Sequence, residues 1–171
     1  MKTGRLWIYK LLTALLPETR FFDLKAALLR WCGATVGENV RISSSAGFFG
    51  GGELVIGDDV WIGMEDVIHS VCGASIKIGN CCDVGPGVMI LTGSHKIDIK
   101  GAHIAGEGTC ADVEVDDGCW LGARSLLLPG VKLPRKTLVA AGAVVTGSFD
   151  KGCLLLAGVP AVVCKTYSNM V

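Results

Sequence analysis

The stretch VDDGCW-LGARSL-LLPGVK-LPRKTL-VAAGAV-V, residues 115 to 145, places an aliphatic residue at every sixth position: Val115, Leu121, Leu127, Leu133, Val139 and Val145. A period of six is neither the 3.6 of a helix nor the 2 of a single strand. The same register recurs upstream at Val36 and Ile42, at Ile56, Ile62 and Ile68, and at Ile78, Val84 and Ile90. Glycine follows six of these residues (Gly37, Gly57, Gly63, Gly79, Gly85, Gly122), and a small or β-branched residue is common four positions on, as at Val60, Cys72, Cys82, Val88, Cys119, Ser125, Val131, Thr137 and Ala143. Each hexad therefore reads as a short strand and a turn with one large and one small inward side chain, and with Gly where a corner demands an unusual backbone conformation. Such a unit is stable only in an array, because each coil buries the aliphatic residues of its neighbour.

Composition agrees with a stacked aliphatic solenoid. The 171 residues include 24 Gly but only 5 Pro, and half of the chain is hydrophobic, which excludes collagen-like and disordered classes. Sixteen basic residues balance sixteen acidic ones, so no net charge favours nucleic acid or an anionic membrane. A small molecule or a second copy of the chain is the expected partner. The eight cysteines (Cys32, Cys72, Cys81, Cys82, Cys110, Cys119, Cys153, Cys164) form no C-x-x-C pair and read as reduced core thiols of a cytoplasmic protein that needs no metal.

The register breaks in three places: between Ile42 and Ile56, between Ile68 and Ile78, and between Ile90 and Val115. The last break is the largest and marks an inserted loop at about 95–112, the kind of place where a regular solenoid carries function. Residues 5–32 read as helical, with Leu24, Ala27, Leu28 and Trp31 at helical spacing, Pro17 as a divider and Gly33 as a stop. They are expected to cap the open end of the solenoid. The bulky Leu11, Leu12, Leu15, Leu16, Phe21 and Phe22 also allow a membrane-surface reading, with capping the expectation. The implied organisation is a helical segment over 1–35, a β-helix over 36–165 and a tail over 166–171.

The repeat, together with Ala157-Gly158-Val159-Pro160-Ala161, resembles the hexapeptide-repeat acyltransferases, which include galactoside, maltose and polysaccharide O-acetyltransferases. The resemblance covers about 36–165. It implies an all-β fold, a left-handed parallel β-helix with three hexads per coil, assembled as a homotrimer with acetyl-CoA between subunits. Ile78-Gly79-Asn80 followed by His95, at the junction of repeat and loop, matches the pattern of the family's general base. A positioned imidazole accelerates attack of a sugar hydroxyl on a thioester by roughly 10²- to 10⁴-fold.

Relatives often carry Asp directly after this histidine. Here it is Lys96, which leaves Asp98, Asp83 or a backbone carbonyl to orient the ring. Glu65 and Asp66 correspond approximately to acceptor-binding positions. Trp120, in Cys119-Trp120-Leu121-Gly122-Ala123, matches a tryptophan lining the site, and Ala123, Ala141, Gly142 and Thr146 match donor-contacting positions. Gly147 and Val162 stand where basic residues are usual, so Lys165, with Arg135 or Lys136, is left for the 3′-phosphate.

The function implied is acetyl transfer from acetyl-CoA to a hydroxyl of a sugar or polysaccharide precursor. Transfer to an amino sugar is the near alternative. A zinc enzyme of the γ-carbonic anhydrase type lacks its H-x-x-x-x-H spacing here, and a non-catalytic scaffold leaves His95 unexplained.

Overall fold

The computed structural model describes residues 1–168. Each hexad forms a short strand, and the strands stack into three parallel sheets, the faces of a triangular solenoid of about five coils. The inward column of the first face is Val36, Ile56, Ile78, Val115 and Leu133. That of the second is Ile42, Ile62, Val84, Leu121, Val139 and Leu156. The third is Phe48, Ile68, Ile90, Leu127 and Val145. All fourteen aliphatic slots are buried, and each contributes about 1.5–3 kcal/mol of apolar transfer. Phe48 is a further slot that a search for aliphatics passes over; it is buried, with its ring edge-on to that of Tyr9.

The corner glycines serve a different purpose from the one expected. None of Gly37, Gly57, Gly63, Gly79, Gly85 and Gly122 has a left-handed backbone; each lies against the backbone of the next coil. A Cβ on Gly57 would stand 2.8 Å from the Gly79 carbonyl carbon, and one on Gly122 would stand 2.6 Å from the Ala141 nitrogen. The left-handed position is three residues after the aliphatic one. It is taken by Asn39, Asp59, Glu65, Cys81, Arg124 and Lys136 with φ of 53–60°, and by Gly87, Gly118, Gly130 and Gly142. Side chains also tie successive coils together: Asp58 Oδ1 accepts from the Glu38 amide, Asn80 Oδ1 from the Asp58 amide and Asp117 Oδ1 from the Asn80 amide, at 2.7, 2.9 and 2.6 Å.

Two helices, α1 (Thr3–Thr13) and α2 (Phe22–Trp31), cover the first coil. Of the expected stripe Leu24, Ala27, Leu28 and Trp31, only Leu28 packs against the core; the fully buried residues are Lys25, Ala26 and Leu29, with Cys32 following. Lys25 is fully buried because its ammonium group donates to the carbonyls of Pro17, Glu18 and Ile42 at 3.2, 2.7 and 2.9 Å. Pro17 and Glu18 lie in the link between the helices and Ile42 in the first coil, so the one ammonium group ties the cap to the solenoid. Burial lowers the Lys25 pKa. At the opposite end, Leu154–Gly158 joins the second face and pairs antiparallel with Ala161–Thr166. The tail expected from 166 thus begins one residue later, and residues 169–171 lie outside the described residues.

Only Cys32, Cys82 and Cys119 are core thiols; Cys72, Cys81, Cys110 and Cys164 are exposed. Among the described residues no disulfide forms, and no group of side chains has the makings of a metal site.

Gly122→Ala is expected to cost about 1–3 kcal/mol in urea unfolding through overpacking between coils. Gly147→Ala, whose Cβ would meet nothing within 4 Å, is expected to change stability by less than about 0.5 kcal/mol. Equal losses at both positions would contradict the close-approach account.

Candidate active site

All three breaks in register fall at one corner, where the chain leaves the third face for the first: between Phe48 and Ile56, Ile68 and Ile78, and Ile90 and Val115. The largest insertion is not an irregular loop. It is an antiparallel hairpin of Gly93–Ile97 and Ala105–Cys110, with Gly93 opposite Cys110, Ser94 opposite Thr109 and His95 opposite Gly108. Its root is held by buried Thr92, whose hydroxyl accepts from the Val71 amide (2.9 Å) and donates to the His69 carbonyl (3.3 Å). The Ala111 amide donates to the Thr92 carbonyl, and Asp112 Oδ1 accepts from the Ser75 amide at 2.7 Å.

Hairpin and third face enclose a groove of about 680 Å³ lined by His69, Cys72, Ser94, His95, Thr109 and Cys110 among others. His95 Nδ1 lies 2.9 Å from the Gly106 carbonyl oxygen. A carbonyl can only accept, so this bond requires the proton on Nδ1 and leaves the Nε2 lone pair of the neutral ring available as a base. A bulge between His95 and Ile97 interrupts the ladder beside the imidazole, a device that re-aims side chains.

The orienting acceptor is therefore the backbone of Gly106, neither of the two acids named from sequence. Asp98 Oδ1 accepts from the Lys100 and Gly101 amides, both at 2.9 Å, and so folds the hairpin tip. Those bonds lower the Asp98 pKa. Asp83 stands on the outer side of the second face between Trp61 and Trp120. Lys96 pairs with Glu107 across the hairpin at 2.5 Å.

Glu65 and Asp66 do not reach this groove. They border another, of about 510 Å³, beneath the end of α1. Asp66 is 1% exposed and points into the coil, where Oδ1 accepts from the Val88 amide at 2.8 Å and Oδ2 has no partner. Its carboxyl belongs to the stack of small inward residues. Burial raises its pKa to about 7 against the pull of the Val88, Gly63 and Gly87 amides.

Trp120 is 56% exposed on the second face, in register with Asp83 and Trp61, and the three border a groove of about 430 Å³. Ala123 and the Ala141-Gly142 pair lie in stacked turns after the second face, with the Gly142 amide donating to the Ala123 carbonyl at 2.9 Å. Thr146 is exposed just past the third-face strand Val144–Val145. At the far end, Arg135 and Lys136 border a groove of about 470 Å³ with Tyr167, and the Lys165 ammonium lies 4.8 Å from the Tyr167 ring. The three cations weighed for a phosphate are thus neighbours of one aromatic ring.

Sequence reasoning missed His69. It lies on the third face in register with Leu91, and the position after an inward slot points outward, so the alignment of Ile68 with Ile90 was the available signal.

The structure is thus a three-sided solenoid of hexads with an oriented imidazole on a corner hairpin. No family profile matches the chain. The chain is 33% identical over 96 residues to "Putative acetyltransferase C18B11.09c" of Schizosaccharomyces pombe, spanning 56% of this chain and 45% of that protein. It is 30% identical over 141 residues to "Putative colanic acid biosynthesis acetyltransferase WcaF" of Escherichia coli, spanning 82% of this chain and 74% of that one. Among solved structures, AntD, an N-acyltransferase from Bacillus cereus crystallised with dTDP and coenzyme A, superposes over 90% of this chain and 93% of its own with a TM-score of 0.71 and 17% identity. A maltose O-acetyltransferase from Clostridium difficile covers 98% of this chain and 87% of its own with a TM-score of 0.62 and 18% identity. The chain belongs to the hexapeptide-repeat acetyltransferases.

The raised Asp66 pKa has a signed consequence for stability. The folded value near 7 lies above the unfolded value of about 3.9, so folding favours the protonated acid. This contribution is complete below about pH 4 and is lost as pH rises through 7, at about 1.4 kcal/mol per unit in between. Asp66→Asn, which keeps the acceptor for Val88, is expected to be more stable than the parent at pH 8 and similar to it at pH 4. A difference in melting temperature that does not change with pH would count against this.

Proposed function

We propose that the chain transfers an acetyl group from acetyl-CoA to a hydroxyl of a sugar or polysaccharide precursor, with His95 as general base. The observation that carries the reading is the Nδ1 bond to Gly106, which leaves the Nε2 lone pair free on a ring that lines the groove. Nε2 takes the proton of the acceptor hydroxyl as that oxygen bonds to the thioester carbonyl carbon. When the carbon–sulfur bond breaks, the imidazolium returns the proton to the leaving thiolate, so the products are an acetyl ester and free coenzyme A thiol. No acyl-enzyme is needed. A free amine on an amino sugar is the alternative acceptor, favoured by the likeness to AntD.

The residues present suit a coenzyme A donor. Trp120 offers an exposed ring, and the open space beyond Gly142 and Gly147 leaves backbone free to meet pantetheine amides. Arg135, Lys136 and Lys165 offer cations to the 3′-phosphate. The reduced thiols suit a cytoplasm that supplies acetyl-CoA.

In one chain His95 stands off the corner between the third and first faces, whereas Trp120, Ala123 and Gly142 lie on the second face and the turns after it. A site that uses both needs two chains, and a homotrimer with one site per interface supplies them. Ile97, Ile99 and Ile104 on the hairpin are bare, which suits a hairpin that lies against a neighbouring subunit.

The test is release of coenzyme A thiol from acetyl-CoA against a panel of sugars, nucleotide sugars and oligosaccharides. His95→Ala is expected to lower kcat/KM by roughly 10²- to 10⁴-fold; an unchanged rate would falsify the mechanism. Faster turnover of amino sugars than of their hydroxyl analogues would select the alternative. Mixing unfolded His95→Ala and Trp120→Ala chains and refolding them together is expected to restore about a quarter of the activity, since one interface in four then joins two intact halves. No recovery in mixed trimers would place the whole site within one subunit.

A further inference from the structure

The side of α1 that faces away from the solenoid is apolar, the reverse of an ordinary surface helix. The inward side needs only Leu6, Tyr9 and Thr13. At about 100° per residue, Gly4, Trp7, Ile8, Leu11 and Leu12 occupy an outward arc of about 140° that contains no charged residue, and Ala14 and Leu15 are exposed in the turn that follows. Trp7 is 69% exposed, Leu11 55% and Leu15 80%. Lys10 borders one edge of the arc and Arg5 the other. Leu24 and Trp31, from the α2 stripe that the sequence assigned to capping, are exposed as well, and the Arg5 guanidinium stacks 4.7 Å from the Trp31 ring while donating to its carbonyl. The charge is unevenly distributed too. With the fully buried Lys25 set aside, residues 1–31 present five cations (Lys2, Arg5, Lys10, Arg20, Arg30) and two anions (Glu18, Asp23), a net of +3 in a chain whose net charge is +0.

We propose that this cap is a docking surface for an anionic lipid bilayer, with the apolar arc of α1 lying in the headgroup region and the flanking cations meeting lipid phosphates. Two separate features select that occupant. An outward apolar arc with tryptophan between basic edges is the pattern of a helix that lies in an interface. The cationic excess is confined to the segment that carries the arc, and clustered Lys and Arg draw such a segment to anionic headgroups. A two-fold contact with a second copy would instead set two cationic caps against each other. No helix among the described residues is long and apolar enough to cross a membrane. The neutral total that argued against a membrane partner conceals this local +3.

The test uses the full chain in co-sedimentation with phosphatidylcholine vesicles, with and without phosphatidylglycerol. Binding is expected only to the anionic vesicles, and it should weaken as salt rises past the screening range. A double variant, Trp7→Ser with Leu11→Ser, is expected to bind at least about tenfold more weakly, with unchanged melting temperature and unchanged turnover of a soluble acceptor. Lys2→Gln with Lys10→Gln should remove part of the salt-sensitive binding. Failure to sediment with anionic vesicles at low salt would overturn the proposal, as would equal binding by the Trp7 and Leu11 variant. Loss of vesicle binding accompanied by a changed particle mass in light scattering would instead assign the face to a contact between copies.

Discussion

Everything in this molecule depends on the close stacking of one coil on the next. The amide of a residue in one coil meets a carbonyl in its neighbour, as with Gly57 on Ile78 (2.8 Å) and Gly79 on Val115 (2.7 Å). Parallel rungs lie about 4.8 Å apart, and at the six corners that carry glycine a Cβ would press on the backbone of the next coil. That constraint sets glycine after the aliphatic residue, places Asp58, Asn80 and Asp117 where each can accept from the coil before it, and keeps inward columns of Ile, Val and Leu in register from one end to the other. A solenoid built this way has two costly ends. Lys25 and the two helices satisfy one, and the antiparallel strand Ala161–Thr166 satisfies the other.

Rigid stacking is also what makes a single histidine useful. The scaffold tolerates extra residues only where coils do not need to match, and here that is one corner. The hairpin that leaves it carries His95 on a paired strand, with its root pinned by Thr92 and Asp112 and its tip folded by Asp98. Orientation of the imidazole by a backbone carbonyl makes the geometry independent of any one acidic side chain. Lys96, directly after His95, is left to pair with Glu107 across the strands.

Much of this was legible in the residues because a period of six has few physical solutions. The fourteen slots, the reality of the insertion and the helical character of the N-terminus all followed from spacing. Details failed where neighbours from a distant coil decide the outcome. Lys25 is buried and Leu24 exposed because three carbonyls outside the helix accept from the lysine, and no helical periodicity contains that information. Asp66 was singled out by resemblance to acceptor-binding positions, and only the packed coils show that its carboxyl accepts from the Val88 amide of the next coil.

Amino-acid order alone dictated the coil, since aliphatic, glycine and small residues at fixed offsets can bury their apolar surface in only one repeating way. It also singled out His95, because a histidine at the end of a regular run is visible without coordinates. Three-dimensional packing decided the rest: that the three insertions share a corner, that Gly106 holds the imidazole while Asp98 and Asp83 are engaged elsewhere, that His95 and Trp120 stand on different sides of the prism, and that α1 turns its wider apolar arc outward. The physical reason is the same in each case. Spacing along a chain specifies which residues share a face, whereas hydrogen-bond partners, exposure and the meeting of surfaces depend on atoms that the fold brings from tens of residues away.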